Sequence, residues 1–391
     1  MFIEINSNSI NYHGERICGD TFAQRYIPNQ RRTVAVLSDG MGHGTKANIL
    51  SNLTVSIILN MGQAKETILK TANTILQTLP VCSVRGISYS TFTILDIDHV
   101  SSLVRILEFD NPQALIFRGE TPLSLERHSQ TIVNEDVQIN TQRSTLYISE
   151  FIARRGDRVV ICSDGVTQSG LGSDKYPFGW GLPSFSAFVH DTISSDPTIN
   201  SHELSLRVLS KALQKDGGHS KDDITCGVFT FRESRRLMLC SCPPSSTNSA
   251  GLAQHVVGAP YPTIVCGYEL AQIVATELDL EITRNATSTD PDLPPLWFAD
   301  GIGLITEGFL TLNKVLDILV NYHERPIGRG PAYRIVKMIM ASDHIQMVIG
   351  TKESQMGSQF IDNYHIRRQM LERIAVILER KFEKAVTKSY I

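Results

Sequence analysis

Apolar positions fall into two rhythms over the first 232 residues. FIEI opens the chain as an alternating strand, RICGDTFAQRYI reads as a second, and TVAVLSD as a short, nearly all-apolar strand of the buried kind. In TKANILSNLTVSIILNM (45–61) the period changes: Leu50, Leu53, Ile57 and Ile58 share one helical face, with Gly62 as the expected stop. A second helix is expected over 64–79, closed by Pro80. YSTFTILDID, SSLVRILEFD and ALIFRG follow, broken by Asp-His, Asn-Pro and Gly-Glu, and read as an antiparallel meander. RVVICSDG is a further strand, then come the Gly/Ser/Pro-rich SGLGSDKYPFGWG, helices near 181–190 and 201–214, and the strand ITCGVFTFR. Strands in two groups separated by helix pairs suit a two-sheet sandwich flanked by helices.

A charged run, RESRR, follows Arg232 and marks a boundary, giving domains 1–233 and 234–391. The second stretch alternates LMLCS, TIVCG, the helical YELAQIVATELDL, the loop TSTDPDLPP, LWFAD, the helical TLNKVLDILVNY, AYRIVKMIMA, the strand HIQMVIG and the amphipathic RRQMLERIAVILERKFEKA. The expected fold class is therefore α+β, a sandwich followed by a smaller α/β domain.

A chain of 391 residues is too long for one ordinary core. With 42% hydrophobic and 20% charged residues and a net charge of -3, it carries no nucleic-acid or acidic tail. MFIEINSNSINYHGE lacks the basic-then-apolar order of a secretion signal, and no window approaches a membrane span, so a cytoplasmic protein is expected, with no membrane and no nucleic-acid partner. Several of the seven cysteines sit inside apolar runs, where a thiol acts as a small hydrophobe. Cys240, Cys242 and Cys266 as a soft-metal set match no recognised zinc spacing.

Aspartates border the apolar runs: Asp39 in VAVLSDGMGHG, Asp164 in RVVICSDGV, Asp222 and Asp223 in KDDITCGVFTF. Strand rims hold carboxylates rigidly, and several rims facing one another make an oxygen cage for hard divalent cations. Two such ions about 4 Å apart need one shared carboxylate. Asp39 is the candidate, since Gly40 lets a backbone carbonyl approach unobstructed, with Asp164 and one of Asp222/Asp223 completing the second shell. A lone Asp-Gly is usually only a turn, as Asp216-Gly217 and Asp300-Gly301 illustrate. The ordered set Gly19-Asp20, Ser38 to Gly44, Ser163-Asp164-Gly165 and Asp222 to Thr225 is harder to dismiss.

These residues carry a resemblance. With DGMGHG intact at 39–44, and CGDT, CSDGV and DDIT in order, the first 232 residues closely resemble the bacterial PP2C-like serine/threonine phosphatases of the SpoIIE family. The resemblance implies an αββα two-sheet sandwich with two Mn2+ or Mg2+ ions: Asp39 bridging, Gly40 giving its carbonyl, Asp164 and Asp222 binding one ion, Asp223 second to Asp222, and Asp20 holding water on the metals. It implies hydrolysis of phosphoserine or phosphothreonine by direct attack of metal-activated water, without a phosphoenzyme. His43 is a candidate general acid or a structural link between loop and helix, and Arg16 a candidate phosphate clamp or a surface strand arginine. Expected partners are a phosphorylated regulatory protein, such as an anti-sigma-factor antagonist, a regulatory partner docking on the helices at 45–79, and a second copy in a homodimer. The stripes of those helices equally fit core packing. The second stretch resembles C-terminal extensions of some SpoIIE-type phosphatases. These often read CGGTTA where this chain has CGYELA (266–271), removing groups that could cradle an anion at a helix start. Asp300 and Glu307 read as turn and cap residues. Competing readings are an inactive docking protein on the same fold and a hydrolase of small phosphate esters.

Overall fold

The computed structural model describes residues 1–63, 70, 72, 74, 76, 90–134, 142–244, 249–285, 290, 293–322, 328–352 and 361–391. The chain divides into two compact units, Met1–Glu233 and Ser234–Ile391.

In the first unit the order is β1 (Phe2–Ile10), β2 (Asp20–Ile27), β3 (Arg32–Gly40), α1 (Gly44–Gln63), β4 (Ser90–Asp98), β5 (Leu103–Phe109), β6 (Leu115–Arg118), β7 (Thr121–Pro122), β8 (His128–Asn134), β9 (Gln142–Ile152), β10 (Asp157–Cys162), α2 (Leu182–Ser195), α3 (Ser201–Lys215) and β11 (Ile224–Arg232). Two antiparallel sheets result, β2-β3-β4-β5-β9-β8 and β1-β11-β10-β6-β7. The unbroken apolar run of β3 has a simple cause. Ala35 and Leu37 enter the core between the sheets with Ile161, Phe229 and Phe231. Val34 and Val36 face the other way, onto Val55, Ile58 and Leu59 of α1. Both faces of the strand are covered, so alternation disappears. On the far side, Phe185, Val189, Leu204 and Val208 of α2 and α3 cover β10 and β11. The layers are thus helix, sheet, sheet, helix. Asn200 starts α3, its side chain accepting the Glu203 N–H at 2.8 Å.

Four local expectations are corrected. The meander breaks after β5: β6 crosses to the other sheet and pairs with β10, while β9 takes the place beside β5. The crossing is pinned by Asp110 in a left-handed turn (φ 53) and by buried Glu108, which accepts the Ala114 N–H at 2.5 Å and pairs with Arg127 at 2.6 Å. The RICGDTFAQRYI strand starts only at Asp20. Gly62 lies inside α1 rather than ending it. The buried face of α1 runs through Ala47, Val55, Ile58 and Leu59, leaving Leu53 48% and Ile49 61% exposed. The helix expected over 64–79 lies outside the described residues except at 70, 72, 74 and 76, which are helical, with Ala72 and Leu76 packed in the α1 cluster.

The second unit contains β12 (Arg236–Ser241), α4 (Ser249–Val257), β13 (Thr263–Cys266), α5 (Tyr268–Leu278), β14 (Thr283–Asn285), β15 (Leu296–Ala299), β16 (Ile302–Thr306), α6 (Phe309–Val320), α7 (Pro331–Ala341), β17 (His344–Ile349), α8 (Ile361–Lys381) and β18 (Ala385–Tyr390). Its sheet, β14-β15-β16-β13-β12-β17-β18, is parallel from β16 to β18 with an antiparallel hairpin at one edge. Helices cover both faces: α6, α7 and α8 pack on one, α4 and α5 on the other. The last helix stops at Lys381, and the chain ends in the unforeseen edge strand β18. Cys240 and Cys266 belong to clusters on opposite faces of the sheet, so the three cysteines make no common ligand set.

Phe229 is fully buried between the two sheets of the first unit. Phe229→Ala is expected to destabilise that unit by about 3–5 kcal/mol, read as a lowered denaturation midpoint in urea.

Candidate metal centre

Strand ends deliver the acidic residues to one rim of the sandwich. Asp20 begins β2 and stands opposite Asp39, at the end of β3, in the antiparallel register. Asp164, one residue beyond Ser163, which follows the end of β10, opens the helical turn Asp164–Thr167. Asp222 and Asp223 lead into β11, which pairs with β10 at Cys162 and Cys226. One sheet therefore contributes Asp20 and Asp39, the other Asp164, Asp222 and Asp223.

Two glycines set how tightly this rim closes. A Cβ on Gly40 would collide with the carbonyl oxygen of Ala47 in the first turns of α1, so the glycine lets the helix cross the end of β3. A Cβ on Gly165 would strike the carbonyl oxygen of Asp223, which holds the Asp164 turn against the start of β11. The helix also grips the strand before it. Asn48 Nδ2 donates to Cys18 O at 2.8 Å and Ser51 Oγ to Gly19 O at 2.6 Å.

The electrostatics are unusual for a protein interior. Asp20 is 5% exposed and neither of its oxygens accepts a hydrogen bond. The nearby hydroxyls donate elsewhere, Thr225 Oγ1 to Ser9 Oγ at 2.9 Å and Ser163 Oγ to the Asp223 carbonyl at 3.5 Å. Burial, with the charges of Asp223 and Asp222 adding to it, pushes Asp20 up to about 7. Burial, then the charges of Asp20, Asp164 and Asp222, hold Asp39 well above the usual carboxylate range, and its carboxyl lies within hydrogen-bonding reach of Asp164. Burial and the Asp164 charge push Asp222 up to about 6. Asp164 Oδ1 and Asp223 Oδ2 are also buried without a hydrogen bond, although Asp164 Oδ2 accepts from Gln168 Nε2 at 2.7 Å and Asp223 Oδ1 from the Tyr12 N–H at 2.9 Å. Unsatisfied buried carboxylate oxygens from separate strands are the kind of donor set that hard cations take. Among the described residues, no three His, Cys, Asp or Glu side chains are grouped so that they could hold a metal ion as they stand.

His43 and Arg16 stand differently. His43 is half-exposed, its Nδ1 2.9 Å from Glu15 Oε1 and its ring stacked on Tyr12 at 4.2 Å. It is close enough to Asp222 for a positive charge on the ring to favour that carboxylate. Arg16 is exposed, with no hydrogen bond or ion pair among the described residues. Tyr12 and Glu15 were not anticipated. Only the pairing of β1 with β11, which places Ile10 opposite Ile224, brings their loop to the rim.

The family model described as stage II sporulation protein E (SpoIIE) matches residues 29–232, more than half of the chain. Stage II sporulation protein E of Bacillus subtilis (strain 168) is 28% identical over 159 residues, 39% of this chain but only 18% of that protein. Among solved structures, the PP2C phosphatase domain of SpoIIE from Bacillus subtilis with a fragment of its regulatory domain is 18% identical, with a TM-score of 0.46 and coverage of 59% of this chain and 64% of that one. The SiaA-PP2C domain of Pseudomonas aeruginosa is 16% identical, with a TM-score of 0.42 and coverage of 57% and 85%.

Asp20 and Asp222 keep protons in the folded chain that an unfolded chain, at an ordinary carboxylate value of 3.8, has released. Their contribution to stability is complete below about pH 4 and is lost as pH rises through 6 and 7. In chelator the thermal midpoint should therefore fall as pH rises from about 5 to 8, and Asp39→Asn should raise it and flatten the fall. A lower midpoint for Asp39→Asn across this range would show that the carboxylate is held by favourable contacts instead.

Proposed function

The chain belongs to the SpoIIE family, and we propose from that premise that its first unit is a metal-dependent protein serine/threonine phosphatase acting in the cytoplasm. The observation that carries this reading is the set of buried, unpartnered oxygens on Asp20, Asp164 and Asp223 beside the charge-crowded Asp39. Asp39 would be shared by two Mn2+ or Mg2+ ions, with the Gly40 carbonyl, Asp164 and Asp222 as further ligands. Asp20 would hold water at the ions. Asp222 and Asp223 each have one oxygen taken by a backbone N–H, but the other oxygen of Asp223 lies against Gly19, 2.6 Å from where a Cβ there would stand, so Asp223 is less suited to direct ligation. When bound, the ions would supply a nucleophilic water at neutral pH and neutralise the phosphoryl oxygens.

The remaining roles belong to the chain. Glu15 holds His43 Nδ1 and so orients the ring, setting its other nitrogen at the mouth of the site to hand a proton to the departing serine or threonine oxygen. Arg16, exposed on the same loop, can take two phosphate oxygens through its forked donors. The substrate is a phosphoserine or phosphothreonine on a regulatory protein, an anti-sigma-factor antagonist being the kind the family relationship suggests. Ile49 and Leu53, apolar and exposed on α1, offer a regulatory partner a foothold on the helix that grips Gly19 and Gly40.

Hydrolysis of p-nitrophenyl phosphate should depend on added Mn2+, vanish in chelator, and be lost in Asp39→Asn and Asp164→Asn. Equal rates for the three proteins would sink the proposal. Against a phosphothreonine peptide, His43→Gln should lower kcat by about a hundredfold with little change in KM, whereas Arg16→Ala should act mainly on KM.

A further inference from the structure

The second unit contains a buried positive charge that none of its described residues answers. Arg367, on α8, is 7% exposed, its Nε is buried without a hydrogen bond, and among the described residues no acceptor pairs with its guanidinium. Tyr364 lies 4.8 Å from the guanidinium carbon, which covers one face of the group but satisfies none of its N–H donors. A buried cation left this way is costly unless an anion completes it.

Its position says where that anion would sit. β12, β13, β16, β17 and β18 are, in chain order, the first to fifth parallel strands, and across the sheet they read third, second, first, fourth, fifth. In such sheets the connections diverge on either side of the first strand, here between β12 and β17, and ligands bind outside the carboxyl ends there. The start of α8 is tied to that edge, since Arg368 Nε donates to Gly350 O and its Nη2 to Lys352 O, both at 3.0 Å, just past the end of β17. At the carboxyl end of β13, Gly267 (φ 136) caps α5, and a Cβ there would stand 2.8 Å from Arg367 Nη1. Past β16, Gly308 caps α6, and a Cβ there would collide with the same nitrogen. The guanidinium therefore lies between two helix starts. The start of α6 is already served, because the Glu307 carboxylate accepts from the N–H groups of Phe309 at 2.6 Å, Leu310 at 2.7 Å and Thr311 at 3.2 Å. The start of α5 has no side-chain cap. Glu269 in its first turn is engaged with Lys352 at 3.2 Å and with the Tyr364 hydroxyl.

We infer that this edge binds the phosphate group of a small phosphate ester, with the Arg367 guanidinium and the first-turn amides of α5 as its donors. The CGYELA sequence removes side-chain hydroxyls from the helix start, but the backbone amides of Tyr268, Glu269 and Leu270 remain, and Arg367 adds the charge. A phosphate offers enough oxygens for a forked guanidinium and a helix terminus together.

The test uses the full chain in chelator, so that no cation bridges phosphate to the first unit, and titrates it calorimetrically with inorganic phosphate, adenosine 5′-monophosphate and acetate at matched ionic strength. Both phosphate probes should bind saturably, and Arg367→Gln should weaken them by about tenfold or more. Without ligand, that variant should melt no lower than the wild type, because an unpaired buried charge has been removed. In the wild type, the Arg367 Nε–H resonance should shift with phosphate, a readout that survives if the variant fails to fold. No saturable binding and no resonance shift, equal binding by Arg367→Gln, or acetate binding as tightly as phosphate would each overturn the inference.

Discussion

Burial of carboxylates at one rim, with their mutual repulsion added to it, is the constraint around which the first unit is arranged. Asp39 feels the charges of Asp20, Asp164 and Asp222, Asp222 feels that of Asp164, and Asp20 has no hydrogen bond to either oxygen. A protein interior ordinarily answers such groups with donors or opposite charge. Here His43, whose charge reaches Asp222, is committed to Glu15 and half-exposed. The rim is thus unfavourable as a piece of structure alone, and the remainder of the unit supplies what holds it closed.

That support comes from both sheets and one helix. The β2–β3 register fixes Asp20 opposite Asp39, and the β10–β11 pairing brings Asp164 beside Asp222. The core between the sheets locks these two pairs into one body, with Leu37 two residues before Asp39 and Ile161 three before Asp164. The helix α1 then closes over Gly40 and grips Gly19, so any partner that shifts the helix acts directly on the two strand ends. Stability stored in the sandwich is what permits the strained rim, a common division of labour at functional sites.

Much of this was legible in residues because strands covered on both faces announce themselves. The runs of β3, β10 and β11 gave the two sheets, and the aspartates at their ends gave the acidic set. Other features depend on tertiary choices that no local pattern records. Which face of α1 is buried depends on how it crosses β3, and Leu53 turned outward although its spacing suggested the core. The crossing from β5 to β6 hangs on Glu108 receiving an amide six residues later. The strands β8 and β9 escaped notice because His128–Asn134 lies at a sheet edge and reads as polar. The group of Tyr12, Glu15 and His43 exists only because the first strand pairs with the last of its unit, and the Arg367 site only because helix and strand ends meet across a parallel sheet.

Anomalous scattering from crystals grown with Mn2+ locates the ions without reference to turnover. Two manganese peaks are expected at the rim, with the Asp39 carboxylate between them and Asp164 and Asp222 in contact. Manganese absent from that rim while bound elsewhere, or a rim that remains free of metal at saturating Mn2+, would contradict the proposed centre.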